Sequence, residues 1–186
     1  MQQHPVYTLE EARTRQTFLE LMWAFSYPGR VHGLPVGGMD AFSAIADTLL
    51  DLETSYYTPN GDLALALSRT GARALPPDRA AYHFYPTLDH AMLPTVKSAS
   101  TGTLMYPDQS ATLIIGCRLG FGQTYLLEGP GIPKGTQRML QVDGIPAEFW
   151  VLRASANRYP RGWDIYLVSD SQVIGLPRTT QLSEEV

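Results

Sequence analysis

Apolar residues near the start of the chain recur with the period of an α-helix. Thr8 lies three residues before Glu11, a spacing that predicts a capping box at the start of this helix. The run Ser26 to Gly29 should end it, because proline cannot continue a helix and glycine accepts the turn. Four apolar residues at the spacing i, i+3, i+4, i+7 predict one inward helical face: Phe18, Leu21, Met22 and Phe25.

Three more segments carry helical signals. Asp40 is predicted to cap a second helix, and Asp62 a short third one that runs through Leu67 and ends near Gly71. Pro146 can open a later helix that reaches about Asn157 and turns Phe149 and Leu152 inward. The inward side chains of the second helix should be Phe42, Ile45, Ala46 and Leu49.

Extended segments lie between and after these helices. Thr54 to Thr58 and Tyr82 to Tyr85 are rich in β-branched or aromatic residues and predict short strands. Two hairpins are expected, since pairs of apolar runs flank short polar or glycine-rich connections. They join Thr112–Arg118 to Gln123–Glu128 and Ile165–Val168 to Gln172–Leu176.

The order of elements predicts a mixed α/β fold with some antiparallel pairing, covered by helices. A length of 186 residues suits a single domain over 1–186. The stretch 71–94 is rich in proline and is a candidate excursion from that domain, although no boundary is placed there.

Composition narrows the function classes. The chain is 44% hydrophobic but only 17% charged, so part of its surface is expected to be covered by a partner protein. A net charge of −4 provides no basic field for nucleic acid. Cys117 is the single cysteine, which excludes an internal disulfide, and its apolar neighbours predict a buried, inert thiol.

No apolar segment has transmembrane length and Met1 to Pro5 do not resemble a signal peptide, so a cytoplasmic protein without membrane contact is expected. The histidines lack the spacing of metal ligands, and no metal site is predicted. They are His4, His32, His83 and His90.

Two arginines flank the last apolar strands, Arg161 just before one strand and Arg178 just after another. Arg178, Thr179 and Thr180 offer a bidentate donor and two hydroxyls, which suit phosphate or partner recognition or, equally, a structural salt bridge at the sheet edge. Asp164 is interpreted as an acceptor for the turn amides of Arg161 and Gly162, with a ligand-facing carboxylate as the alternative.

The turn Gly129-Pro130-Gly131 could bring backbone amides near a phosphate, but Pro130 removes one donor. A tight strand exit is therefore the favoured interpretation. Arg138 is the nearby guanidinium that could complete an anion site. Lys134, within Pro-Lys-Gly, is interpreted as a loop residue and not as a Schiff-base lysine.

Four stretches together resemble the PhnH family of bacterial carbon–phosphorus lyase subunits. They occur in the family's order and span residues 18–180. The stretches are Phe18-x-x-Leu21-x-x-Ala24-x-Ser26-x-Pro28-Gly29, Leu127-x-Gly129-Pro130-Gly131-Ile132, Tyr159-Pro160-x-Gly162-x-Asp164 and Leu176-Pro177-Arg178-Thr179-Thr180; where this chain has Tyr159, the family more often has phenylalanine.

The resemblance implies a three-layer α/β/α sandwich with a mixed sheet, similar to the large domain of pyridoxal-phosphate transferases but without the cofactor. It also implies a homodimer and a core complex with the G, I and J subunits. That core, together with the L subunit, couples a phosphonate to the ribose carbon of ATP and releases adenine, and the J subunit carries the radical chemistry. The family-type positions are Gly129, Gly131, Pro160, Gly162, Asp164, Arg178 and Thr179.

Three roles remain open. The favoured one is a scaffold or assembly subunit with no cofactor and no complete active site. The alternatives are a nucleotide- or phosphonate-binding catalytic subunit using Arg138, Arg161 and Arg178, and a retained pyridoxal-phosphate enzyme, which ranks last. A complex subunit should place some of its large aromatic side chains in an interface. The candidates are Trp23, Phe121, Trp163 and Trp150, of which Trp150 is expected in the core.

Overall fold

A computed structural model describes residues 7–184. Its helices are α1 (Leu9–Ser26), α2 (Met39–Leu49), α3 (Gly61–Leu67), α4 (Leu93–Ser98) and α5 (Ala147–Ala156). Its strands are β1 (His32–Gly33), β2 (Ser55–Tyr57), β3 (Arg73–Ala74), β4 (Tyr82–Tyr85), β5 (Thr112–Gly116), β6 (Arg118–Glu128), β7 (Arg138–Asp143), β8 (Asp164–Ser169), β9 (Gln172–Leu176) and β10 (Gln181–Glu184).

The strands form two sheets. The central one has seven strands in the order β1-β9-β8-β5-β4-β2-β3, and the other has three in the order β10-β6-β7. In the central sheet β1–β9 and β9–β8 pair antiparallel, while the remaining neighbours pair in parallel. The small sheet is antiparallel throughout. The predicted mixed α/β class is confirmed.

Successive side chains of the central strands point to opposite faces of the sheet and pack into two cores, as the period of a strand requires. Ile114 and Tyr166 pack with α1, α2 and α3 on one face. Leu113 and Leu167 pack on the other face with side chains of the small sheet and of α5, including Phe149. The proline-rich stretch 71–94 contains β3 and β4, which lie next to β2 in the central sheet.

Helix α1 begins with the predicted capping box, in which Thr8 and Glu11 exchange hydrogen bonds. The predicted inward face is partly wrong: Leu21 is buried, but Phe18 and Met22 are exposed. The physical reason is a close helix–strand approach at Gly175 of β9, where an added Cβ would lie 2.5 Å from the backbone of Ala24. That approach rotates the helix so that its buried positions are Thr17, Leu21 and Ala24.

The first predicted hairpin is wrong and the second is confirmed. The chain leaves the central sheet at Cys117, and β6 pairs with β7 and β10 instead of β5. The glycines expected in a hairpin turn, Gly120 and Gly122, lie in an irregularity within β6. The strands β8 and β9 form a hairpin whose turn includes Asp170.

The predicted helix caps need three small corrections. Gly38 caps α2, which leaves Asp40 in the first turn, and the side chain of Asn60 rather than Asp62 caps α3. Pro146 lies at the N-cap of α5, just outside the helix. Side-chain oxygens of Asn and Asp compete for the same cap position, so the sequence alone leaves the choice open by a residue or two.

Candidate functional site: the Asp164 corner and the cleft beside it

Asp164 and Arg178 meet at one edge of the central sheet because β8 begins where its antiparallel partner β9 ends. The Asp164 carboxylate accepts the backbone N–H of Arg178 at 2.7 Å and its guanidinium Nη2 at 2.5 Å. Arg178 Nη1 donates to the carbonyl of Pro107 at 2.5 Å. Both side chains are largely buried, so the pair is a charge-assisted contact shielded from solvent.

Asn157, at the end of α5, joins this pair to the preceding turn. Its Nδ2 donates to the carbonyl oxygens of Trp163 and Arg178, at 3.3 and 3.2 Å, and its Oδ1 accepts the Trp163 backbone N–H at 2.9 Å. Gly162 makes this geometry possible, since its φ is 141° and an added Cβ would lie 2.6 Å from Asn157 Oδ1. We call the set Asn157, Gly162, Asp164 and Arg178 the Asp164 corner.

Asp164 was predicted to accept hydrogen bonds from turn amides, and this prediction is wrong. The amides of Arg161 and Gly162 donate to the carbonyls of Arg158 and Thr101, whereas Asp164 accepts from Arg178. A sheet-edge salt bridge, one of the two interpretations of Arg178, is therefore present. Arg161 lies half-buried beside the corner, after a cis bond between Tyr159 and Pro160, and its buried Nε has no hydrogen-bond partner within residues 7–184.

The two family-type glycines of the β6 exit are packed against other family-type stretches. A Cβ on Gly129 would lie 3.0 Å from the carbonyl oxygen of Thr179, and one on Gly131 would lie 2.7 Å from that of Ser26. Together with the Asp164–Arg178 contact, these approaches bring the four family-type stretches together in space. Close backbone packing explains these glycines without any ligand.

Arg138 contacts a different part of the chain from Arg178. It starts β7, and its aliphatic stem packs against Gly29. Lys134 is exposed in the turn between β6 and β7.

A cleft of about 530 Å³ opens beside the Asp164 corner, between α5 and β10. Three predicted candidates line it, Arg178, Thr179 and Thr180. Its other lining residues are Tyr125, Trp150, Val151, Arg153, Ala154, Asn157, Tyr159, Gln181, Leu182 and Glu184.

Arg153 is the residue of this cleft that sequence reasoning missed. It is only 3% exposed, and its guanidinium donates to the carbonyl oxygens of Thr180 at 3.1 Å and Pro177 at 3.0 Å. Burial lowers the pKa of Arg153 to about 10, an effect that the nearby Asp164 charge opposes. A signal was available, because Arg153 lies four residues after the inward Phe149 on the same helical face.

Other chemistry is sparse in the part of the chain that is described. Burial raises the pKa of Cys117 to about 12, so its thiol is a poor nucleophile. No cluster of three or more His, Cys, Asp or Glu side chains within residues 7–184 could hold a metal ion. None of the helices in that range has the length and apolarity to span a bilayer.

The family model of PhnH, described as a bacterial phosphonate metabolism protein, matches residues 5–183. The chain belongs to the PhnH family. Two curated relatives agree along most of their lengths. HtxG of Stutzerimonas stutzeri, named as a C-P lyase subunit protein, is 35% identical over 92% of this chain and 86% of its own.

The second relative is from Rhizobium meliloti (strain 1021) and is named alpha-D-ribose 1-methylphosphonate 5-triphosphate synthase subunit PhnH. It is 33% identical over 92% of this chain and 90% of its own. The resemblance drawn from the four stretches is therefore confirmed for nearly the whole of this PhnH-family chain.

Proposed function

We propose that this chain is a subunit of a carbon–phosphorus lyase complex in phosphonate catabolism. The match to the PhnH family over residues 5–183 is the observation that carries this function, and the names of both relatives support it. The complex would couple a phosphonate to the ribose carbon of ATP and release adenine, and this chain would take part as a cytoplasmic component.

Within that complex we assign the chain an assembly role, with no cofactor and no complete active site of its own. The Asp164 corner supports this role because its carboxylate and guanidinium neutralise each other. The polar groups at the corner also bind backbone atoms of the same chain, which suits structural work more than turnover.

The surface of α1 supports association with another protein. Five exposed apolar side chains line its outer side and the turn that follows; we call them the α1 outer stripe: Phe18, Leu19, Met22, Trp23 and Tyr27. Trp23 and Tyr27 stack with ring centroids 5.6 Å apart. Aromatic side chains grouped on a weakly charged surface are typical of interface centres. Of the four aromatic candidates, Trp23 and Phe121 are exposed, whereas Trp150 and Trp163 are buried.

We further propose a homodimer of this chain and contacts with the G, I and J subunits, joined by L for the synthase step. The fold proposal that accompanies it is a three-layer α/β/α sandwich related to the large domain of pyridoxal-phosphate transferases. Helices α1 to α3 on one face of the central sheet and α5 on the other are compatible with such layers.

Co-expression with the neighbouring subunits tests the assembly role. We expect Trp23→Ser to weaken recovery of this chain with its partners, or its self-association, by at least tenfold, since interface aromatics carry much of the binding free energy. Leu65→Ser on α3 is the control, because it removes another exposed, large apolar helix residue that lies outside the stripe. If both variants were recovered with partners as efficiently as the wild type, the α1 outer stripe would not be part of the interface.

The alternative function is a nucleotide- or phosphonate-binding subunit, which the cleft beside Arg178, Thr179 and Thr180 favours. Titration calorimetry with ATP would compare the wild type with Arg138→Gln and Arg178→Lys. A nucleotide site that uses Arg138, Arg161 and Arg178 predicts weaker binding in each variant. No heat with the wild-type protein would count against the alternative and leave the assembly role untouched.

A further inference from the structure

Arg153 is a buried cation with most of its hydrogen-bonding capacity unused by the described chain. A guanidinium carries five N–H donors. Two atoms of Arg153 have acceptors, Nη1 and Nη2, and each acceptor is a neutral backbone carbonyl. Its Nε is buried without a partner in residues 7–184, and no ion pair within that range involves Arg153.

Thr180 supplies a second unmatched group in the same place. Its side chain is 2% exposed, and its Oγ1 has no hydrogen-bond partner within residues 7–184. Its own carbonyl oxygen accepts a hydrogen bond from Arg153 Nη1 at 3.1 Å, so the two residues are in direct contact. Both residues line the cleft between α5 and β10. Buried donors without acceptors cost free energy, which a suitable ligand would recover.

The walls of the cleft limit what such a ligand can be. Tyr125 and Trp150 pack with ring centroids 5.1 Å apart and line one part of the cleft. Glu184 lines the same cleft and pairs in register with Tyr125. A carboxylate at this position disfavours a ligand with several negative charges, whereas the aromatic rings favour one with an apolar portion.

We propose that the cleft between α5 and β10 binds a small organic oxyanion. Its anionic group, a carboxylate, phosphate or phosphonate, accepts hydrogen bonds from Arg153 and from the Thr180 hydroxyl. Its apolar portion lies against Trp150 and Tyr125. This site goes beyond the assembly role and is independent of it, since the isolated chain contains every group that the site requires.

The test uses the full chain with acetate, inorganic phosphate and methylphosphonate as separate probes at matched ionic strength, with chloride as the reference salt. A ligand that binds the folded state raises the melting temperature. The probe concentration is set at about ten times a Kd in the millimolar range. At that concentration we expect at least one probe to raise the melting temperature above its value in chloride. The probe that acts identifies which oxyanion is preferred.

Thr180→Val and Thr17→Val form a matched pair for this test. Both threonines are buried, and both hydroxyls lack a partner within residues 7–184, but Thr17 lies in the other core, on α1. Valine keeps the shape and removes the unmatched hydroxyl, so neither variant should lower the melting temperature without ligand. With the active probe, Thr180→Val should bind about tenfold more weakly, while Thr17→Val should bind as the wild type does.

Two outcomes would overturn the site. One is the absence of any shift beyond chloride with all three probes. The other is equal probe affinity for Thr180→Val and Thr17→Val. An Arg153→Lys variant adds a second readout, because lysine keeps the charge but loses the planar fork; a folded variant with undiminished affinity would also contradict the proposal. None of these three results bears on whether the chain co-purifies with partners through the α1 outer stripe.

Discussion

The Asp164 corner and the α1 outer stripe are opposite kinds of surface. At the corner, Asp164, Arg178 and Asn157 each find partners within the same chain. On the stripe, Phe18 and Trp23 keep 52% and 42% of their surface exposed, and their rings face solvent in the single chain.

This difference separates residues that build the fold from residues that can serve a partner. The corner contains most of the polar family-type residues, and their hydrogen bonds hold β8, β9 and α5 together. Within the stripe, Leu19, Trp23 and Tyr27 fall at unspecified positions of the first family stretch, whereas Phe18 is one of its specified residues. Family-type residues at a strand end can therefore be structural, and substitutions at the two regions should have different consequences.

Asp164→Ala should produce the largest loss of stability. It leaves the largely buried guanidinium of Arg178 without its carboxylate and removes the acceptor of the Arg178 backbone N–H. Breaking one side of such a pair costs about 3 kcal/mol or more. Urea unfolding would measure the change in the free energy of unfolding. Asp164→Asn keeps an oxygen acceptor and should lose less stability. If Asp164→Ala were as stable as the wild type, the Asp164 corner would not stabilise the fold.

Gly162→Ala should follow in size. The residue has a φ of 141°, which side chains rarely adopt, and the new Cβ would approach Asn157 Oδ1 to 2.6 Å. We expect a loss of about 2–3 kcal/mol in the free energy of unfolding. Gly61→Ala is the control, because nothing lies within 4 Å of its added Cβ at the start of α3. The control should be neutral or slightly stabilising, and a Gly162→Ala variant that behaved like it would contradict the predicted strain.

His83 extends the comparison to the interior of the central sheet. It is fully buried between Tyr85 and the Ala80 carbonyl, and burial lowers its pKa from 6.5 to about 4. Between these two values the unfolded chain binds a proton that the folded chain does not. Stability is therefore complete above the unfolded pKa and falls as the pH drops toward the folded one, by about 2 kcal/mol from about pH 7 to about pH 5.

Urea titrations across this range would measure that slope. His83→Gln lacks a titrating ring, so its stability should change less over the same interval, whatever its absolute value. A slope identical to that of the wild type would assign the acid sensitivity to other groups.

Local sequence patterns predicted the elements correctly where interactions between neighbours along the chain determine the structure. The capping box at Thr8 and the β8–β9 hairpin depend on neighbours along the chain, and both are confirmed. The separation of β5 from β6 could not be predicted, because two apolar runs around glycines look alike whether they pair with each other or join different sheets. The rotation of α1 depends on Gly175, which is about 150 residues away, and no local period reports it.

The candidate site divides in the same way. Arg178 and Asp164 could be singled out because they flank apolar strands, but their mutual contact depends on the antiparallel pairing of β8 with β9. Arg153 was overlooked because a basic residue within a helix is usually exposed. Its position on the face of Phe149 indicates burial, but its acceptors, the carbonyl oxygens of Pro177 and Thr180, lie outside α5 and could not be predicted from the helix alone.

Trp23→Ser should have the smallest effect on the isolated chain. The side chain lies outside both cores and loses only its stacking on Tyr27 and partial burial, so we expect a loss of about 1 kcal/mol in the free energy of unfolding. The same variant is expected to impair association with partners. Asp164→Ala is expected to do the opposite, with its main effect on stability. Urea unfolding of the purified chain, measured beside its co-purification, separates the two effects. A large loss of stability would mean that Trp23 supports the fold, and the contrast between the corner and the stripe would then fail at the stripe.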